Sequence, residues 1–347
     1  MGQPIRVLIV DDSGFVRKRL HRGLSRDPDI EVVGMAVDAF DAKDKLAELN
    51  PDVMTLDVEM PKLNGLDFLR QIMPVKPMPV IMVSSLTKEG ASVTLSALAA
   101  GAVDFVAKPS GPSDSEADFM AVLCSKVHAA SRANVSALSR KRNVETAPIQ
   151  TVGDSNRVIC IGSSTGGPEA LVELLSAFPA DAPPTVIVQH MPARYTPQLA
   201  KQLDRASPMR VTEAANGDRL ESGHVYVAPG GMHAKLQSVG NHLEIACYPG
   251  EKKNGHIPSV DVLFESAAEV LGRRCVATIL TGMGDDGAVG LGKVRDAGGR
   301  TLAEDESTCV VFGMPKAAQA AGSVEKVVPL PKMARAVLEL VSGKRFA

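Results

Sequence analysis

Short apolar runs alternate with stretches of helical spacing through the first third of this chain, and that alternation leaves few folds open. Val7-Leu8-Ile9-Val10, Val32-Val33-Gly34-Met35, Val53-Met54-Thr55-Leu56, Val80-Ile81-Met82-Val83 and Phe105-Val106-Ala107 are each too short for a globular helix. Between them apolar residues recur at helical intervals, as in Phe15, Leu20 and Leu24 or Ala42, Leu46 and Leu49. Five such repeats predict a parallel sheet with helices on both faces, the doubly wound arrangement. A length of 347 residues predicts two domains. From about Ser131 to Asn156 the chain turns polar and aperiodic, with Arg140-Lys141-Arg142 and Pro148, which reads as a linker with a solvated basic face. A second α/β series starts at Val158, with strands expected at Thr185 to Val188, Val225 to Ala228, Val276 to Leu280 and Val327 to Leu330. The predicted division is 1–125, a linker over 126–154, and 155–347.

Composition excludes several classes of function. Apolar residues make up 45% and charged residues 22%, enough for a full core in a globular protein. The net charge of −2, the absence of Trp and the scarcity of Tyr and Phe argue against a nucleic-acid platform. Five scattered cysteines with no Cys-x-x-Cys spacing argue against a disulfide framework and against zinc, and suit a reducing cytosol. No signal-peptide core and no apolar stretch of about 20 residues is found, so a cytoplasmic location without membrane insertion is expected.

In the first series, Asp11-Asp12 follow the first strand, Asp57 the third, Ser84 ends the fourth and Lys108-Pro109 end the fifth. Open parallel sheets bind ligands outside the carboxyl ends of their strands, so these side chains converge on one edge. Three gathered carboxylates repel unless a cation holds them, and a hard divalent ion such as Mg2+ answers that need. Lys108 adds a point charge suited to phosphate. Any one of these Asp residues read alone is an ordinary helix cap.

The second series opens on Gly162-Ser163-Ser164-Thr165-Gly166-Gly167, directly after Val158-Ile159-Cys160-Ile161. A strand ending in Gly-x-Ser-x-Gly and feeding a helix presents one hydroxyl at the tip of a tight turn, as a serine nucleophile requires. The same kind of turn also binds phosphate or simply reverses the chain. Ser164 needs a base, and His190 sits just past a predicted strand on the same edge; His224, His233 and His256 are rivals. His224 precedes a strand and is expected at the opposite edge, while His256 lies in a polar loop before Ser259, the expected cap of a helix over Val260 to Leu271. For the group that orients the base, Gly282-Met283-Gly284-Asp285-Asp286-Gly287 offers Asp285 or Asp286, either of which is also a candidate helix cap. The order Ser, His, Asp differs from that of the α/β-hydrolases.

Asp11, Asp12, Asp57, Met60-Pro61, Gly65, Ser84 and Lys108-Pro109 resemble the receiver domain of two-component response regulators over residues 5 to about 125. The resemblance implies a flavodoxin-like fold in which Asp57 accepts a phosphoryl group from a sensor histidine kinase. It implies Mg2+ held by Asp12, Asp57 and the carbonyl of Glu59, with Asp11 acting through water. Ser84 and Lys108 would support the phosphoryl group, and Phe105 would be an aromatic switch that turns inward.

Gly162 to Gly167, Gln189-His190-Met191-Pro192, Ala228-Pro229-Gly230, Pro258-Ser259-Val260-Asp261 and Thr281 to Gly287 resemble the catalytic domain of the chemotaxis protein-glutamate methylesterases, the CheB family. The resemblance implies a doubly wound, mostly parallel α/β hydrolytic domain. It implies Ser164 as nucleophile, His190 as base and Asp286 rather than Asp285 as orienter, with Thr165 and the Met283 main chain lining an oxyanion site. The implied reaction is hydrolysis of glutamate γ-methyl esters on chemoreceptors, with glutamine deamidation beside it, opposed by a receptor methyltransferase and needing no cofactor at the esterase site. The order receiver, linker, hydrolase leads to the expectation that the unphosphorylated receiver inhibits the hydrolase. Two other readings stay open: a second module that only binds a partner, and a hydrolase of other acyl substrates.

Overall fold

The computed structural model describes residues 3–85, 87–109, 115–138 and 156–343. The chain divides into two compact units, Met1–Ser139 and Arg140–Ala347. In the first, β1 (Ile5–Val10), α1 (Gly14–Leu24), β2 (Ile30–Ala36), α2 (Ala39–Leu49), β3 (Val53–Asp57), α3 (Gly65–Ile72), β4 (Val80–Ser84), α4 (Lys88–Ala99), β5 (Asp104–Ala107) and α5 (Glu116–Ser131) alternate, and a short α6 (Val135–Leu138) follows. The strands form one parallel sheet in the order β2-β1-β3-β4-β5, the flavodoxin-like topology. Every residue of β3 and β4 is buried, which is why these strands read as unbroken apolar runs. Side chains of Ser13, Asp38, Asn64, Thr87 and Ser115 each accept a backbone N–H at the start of α1 to α5, so each helix begins where its cap stands.

Residues 126–131, placed in the linker by the predicted division, continue α5, because Leu123, Val127 and Ala130 keep a buried stripe at helical spacing. Residues 139–155, including Arg140-Lys141-Arg142 and Pro148, lie outside the described residues.

The second unit contains β6 (Val158–Ser163), α7 (Gly167–Ser176), β7 (Thr185–Gln189), α8 (Thr196–Ala206), β8 (Arg210–Glu213), β9 (Asp218–Arg219), β10 (His224–Val227), β11 (His233–Val239), β12 (His242–Tyr248), α9 (Val260–Leu271), β13 (Cys275–Ile279), α10 (Ala288–Asp296), β14 (Arg300–Glu304), α11 (Met314–Ala320), β15 (Lys326–Val328) and α12 (Leu330–Val341). Seven strands pair in parallel in the order β15-β14-β13-β6-β7-β10-β8. The antiparallel strands β11, β12 and β9 form a separate small sheet. On one face of the large sheet Cys160, Val186, Tyr226 and Ala277 share a core with Leu263 and Phe264 of α9, Leu291 of α10 and Leu236 of β11. Helices α7, α8 and α12 pack together over the opposite face.

From β6 the chain moves to β7 on one side and returns later as β13 on the other. This reversal opens a crevice at the carboxyl ends of β6 and its neighbours, where doubly wound folds bind their ligands.

Gly65 backs the acidic edge of the first unit. Its N–H donates to the Val58 carbonyl at 3.0 Å, and a Cβ there would lie 2.0 Å from the Asp57 carbonyl oxygen. Gly65→Ala is predicted to destabilise the first unit by about 1–3 kcal/mol through overpacking, read as a lower midpoint of its thermal unfolding transition.

Candidate active site

Main-chain ladders bring the three sequence-predicted groups to one crevice. Ser164 leaves β6, and its N–H donates to the Thr281 carbonyl at 3.0 Å, beyond the end of β13. On the other side the His190 N–H donates to the Ser163 carbonyl at 3.1 Å. The nucleophile candidate therefore stands on the central of three adjacent strands, flanked by the segments that carry His190 and Asp286. Gly166, in the left-handed region at φ +77°, turns the chain into α7 and starts it without a side-chain cap. The amino end of α7 then faces the crevice, with its partial positive charge.

His190 Nε2 lies 2.8 Å from Asp286 Oδ2, with the two side chains 6% and 0% exposed. The carboxylate accepts, so Nε2 carries the proton, and Nδ1 is buried with no hydrogen-bond partner among the described residues. No hydrogen bond joins Ser164 to the His190 Nδ1 atom. Asp286 also accepts from Val260 N at 2.7 Å, Ser259 Oγ at 2.8 Å, Asn254 Nδ2 at 2.9 Å and Asp261 N at 3.3 Å. Burial alone raises a carboxyl pKa; the hydrogen bond and charge of His190, with the Val260 N–H and Asn254, reverse this and hold Asp286 well below the usual range.

Asp286 caps a helix, but not the one it precedes. Gly287, at φ +94°, starts α10 with no side-chain cap, while Asp286 caps α9 in company with Ser259. In return Asp261, in the first turn of α9, accepts from Gly290 N of α10 at 2.6 Å. Asp285 is exposed and takes no part. Of the rival histidines, His224 pairs with Thr212 at the amino end of β10, and His233 is tied to the Glu251 carbonyl and the Ser259 N–H. His256 does reach the site: its ring stacks on His190 at 3.7 Å between centroids and 7° between planes.

Thr165 is buried, and its carbonyl accepts Thr281 Oγ1 at 2.9 Å. Met283 sits on a turn pinned by Gly313 N and Met314 N, which donate to the Gly282 carbonyl at 3.0 and 2.9 Å. Three further residues act from behind. Gln189 Oε1 accepts Ser163 Oγ at 2.7 Å while its Nε2 donates to the carbonyls of Ser164 and His190. Glu304 Oε2 accepts Thr281 N at 2.8 Å, beneath the Ser164 turn. Asn254 bonds Asp286 directly.

In the first unit Asp11, Asp12 and Asp57 each offer an oxygen within 4.8 Å of the others. Lys108 Nζ lies 2.9 Å from both Asp11 Oδ2 and Asp57 Oδ1. Burial, opposed by Lys108 and aided by the Asp11 charge, leaves Asp57 pushed up to about 6. One lysine thus serves two buried carboxylates, an arrangement short of positive charge. The Glu59 carboxylate turns away to accept Ser85 Oγ. Ser84 Oγ is buried against α4, accepting from Thr94 Oγ1 at 2.7 Å. Phe105, expected to turn inward, is already buried at 4% exposure, with Lys126 Nζ 5.3 Å from the ring centroid. A ring with no hydroxyl has no polar handle to hold it at the surface.

The CheB methylesterase model matches residues 159–337, and the response regulator receiver domain model matches residues 7–118. A protein-glutamate methylesterase/protein-glutamine glutaminase of Syntrophotalea carbinolica is 48% identical over 355 residues, covering 100% of both chains. One from Caulobacter vibrioides is 49% identical, covering 98% of this chain and 99% of its own. The Thermotoga maritima CheB methylesterase catalytic domain superposes with a TM-score of 0.53 at 41% identity, covering 54% of this chain and 99% of that structure. The chain belongs to the CheB methylesterase family. It joins a receiver domain to a CheB methylesterase domain in one chain.

Within this CheB chain, Glu304 carries a measurable signature. Burial, only partly offset by the Thr281 N–H, pushes its carboxyl up to about 7. The folded chain then binds a proton that the unfolded chain releases near pH 4.5, so stability falls as pH rises from about 4.5 to 7, by about 3 kcal/mol in all. Glu304→Gln keeps an acceptor for Thr281 and removes the titration. Urea unfolding of this variant across that window is predicted to show a shallower decline with pH than the parent.

Proposed function

We propose that the second unit hydrolyses glutamate γ-methyl esters on methyl-accepting chemoreceptors, and deamidates glutamine by the same attack, with Ser164, His190 and Asp286 as its catalytic residues. The observation that carries this reading is the buried His190 ring, committed through Nε2 to Asp286 and unpaired at Nδ1 among the described residues, next to the strand that leads into Ser164. A neutral imidazole so held has one lone pair to offer. Nδ1 takes the Ser164 proton as Oγ bonds to the ester carbon, and the carbonyl electron pair moves to oxygen. Main-chain N–H groups of the Thr165 and Met283 turns stabilise that oxyanion. Collapse expels the methoxy group, which leaves as methanol with the proton from Nδ1. Water then attacks the acyl-serine, His190 accepts its proton, and glutamate and free Ser164 result. With glutamine the leaving group is ammonia.

In the receiver, Asp57 accepts a phosphoryl group from a sensor histidine kinase. The hard oxygen donors and the excess of carboxylates over cations at Asp11, Asp12 and Asp57 fit Mg2+, with Asp12, Asp57 and the Glu59 carbonyl as ligands and Asp11 acting through water. When bound, the ion neutralises charge between carboxylate and phosphoryl oxygens. Lys108 pairs with the acyl phosphate, and Ser84 reaches it by turning from Thr94. Phe105, buried in β5 beside Lys126, is the aromatic switch that follows the state of that strand. Phosphorylation relieves inhibition of the hydrolase, and the activity opposes a receptor methyltransferase in the cytoplasm, where receptor adaptation takes place. No helix among the described residues is long and apolar enough to cross a membrane.

Two outcomes test this. Ser164→Ala in the full chain abolishes methanol release from methylated receptor membranes while Asp57 still takes up phosphate from a small phosphodonor; retained esterase activity refutes the nucleophile. The same phosphodonor raises the parent's rate by roughly 5- to 150-fold, as a coupling of about 1–3 kcal/mol allows, and leaves Asp57→Ala unstimulated.

A further inference from the structure

Lys253-Asn254-Gly255-His256 forms a two-residue hairpin turn. Lys253 N donates to the His256 carbonyl at 3.0 Å and His256 N returns a bond to the Lys253 carbonyl at 2.9 Å. Both central residues are left-handed, Asn254 at φ +51° and Gly255 at φ +78°, the conformation for which an Asn-Gly pair is preferred. The turn is tethered to two helices, since Lys253 bonds Glu265 of α9, which in turn pairs with Lys293 of α10 at 2.7 Å. Asn254 is exposed as a residue, yet its Nδ2 lies 2.9 Å from Asp286 Oδ1 and 2.7 Å from Asp261 Oδ2.

The two carboxylates it joins are 1% exposed and raise each other's cost of ionisation. A carboxamide nitrogen has two protons, and here each goes to a different carboxylate. Resting on the catalytic reading above, we infer that Asn254 is a positioning residue for the His190–Asp286 pair, bridging Asp286 to Asp261 so that the carboxylate keeps the angle at which it orients the base. Neither Asp, which only accepts, nor Lys, a single mobile charge, reproduces that bridge at this spacing. The same turn lays the His256 ring flat on His190, so one hairpin steadies both members of the pair.

The test uses the full chain and methanol release from methylated receptor membranes. Asn254→Ala lowers kcat roughly tenfold, the loss of one hydrogen bond to a charged group, and leaves KM unchanged. Asn254→Asp, equal in shape but without the donor protons, is more impaired than the alanine variant. In an Asp286→Ala background the Asn254→Ala change adds no further loss, because its effect passes through that carboxylate. Wild-type rates in both Asn254 variants, or additive losses in the double variant, overturn the inference while Asp286→Ala remains impaired. Full activity of Asp286→Ala itself overturns the catalytic reading, and the inference with it.

Discussion

The carboxylate of Asp286 is the interaction on which the second unit's site depends. A buried charge is tolerated only when its lone pairs are occupied, and this one is met by His190, two N–H groups and the Ser259 hydroxyl at the start of α9, and the Asn254 amide. Those donors come from β7, α9 and a hairpin turn, so one ionised group joins three elements. The exchange of caps between α9 and α10 through Asp286 and Asp261 extends the joint to the helix pair covering one sheet face. The carboxylate that holds the His190 ring is thus the same one that ties α9 and the hairpin turn together.

The first unit answers the same problem in the opposite way. Asp11 and Asp57 are as buried as Asp286, but they share one lysine, and Asp57 titrates high where Asp286 titrates low. Both acidic groups stand past the carboxyl ends of parallel strands, beside the strand at which the topology reverses. An over-coordinated carboxylate orients a neighbour and is itself inert. An under-coordinated one has affinity left for a cation. Coordination, more than position in the fold, separates the two roles.

Most strands of the parallel sheets were legible because burial on both faces leaves an unbroken apolar signature, as in Val158 to Ile161 or Val80 to Val83. β14 was not, since Arg300-Thr301-Leu302-Ala303-Glu304 ends on a carboxyl that only tertiary contact explains. The β11–β12 hairpin was missed because its strands mix polar and apolar residues, with one side toward α9 and the other toward solvent. Ser164 and His190 stand out by their places after strands, whereas the residue pattern alone leaves Asp285 and Asp286 open and only the family resemblance chooses Asp286. The Asn254-Gly255 pair carries a turn signal, but its bridge to Asp286 is a tertiary contact that the signal does not contain. Gln189 and Glu304 give no such signal, because their importance lies in which main-chain groups they meet.

The direction of the His190 ring constrains the reaction further. With Nε2 given to Asp286, the nitrogen left for proton transfer is Nδ1, the one nearer the main chain, whose place follows the backbone closely. That backbone is fixed by the bond from His190 N to Ser163 and by Gln189, and the Ser164 backbone is fixed by Thr281. The sheet register therefore sets the separation of the His190 and Ser164 main chains. The torsion of Ser164 about its Cα–Cβ bond is the freedom that remains, and it has only three staggered wells. The Ser164 and His190 main chains inherit their placement from β6 and β7, whereas the Asp286 carboxylate, which arrives on a loop, is held by the hairpin and the helix caps.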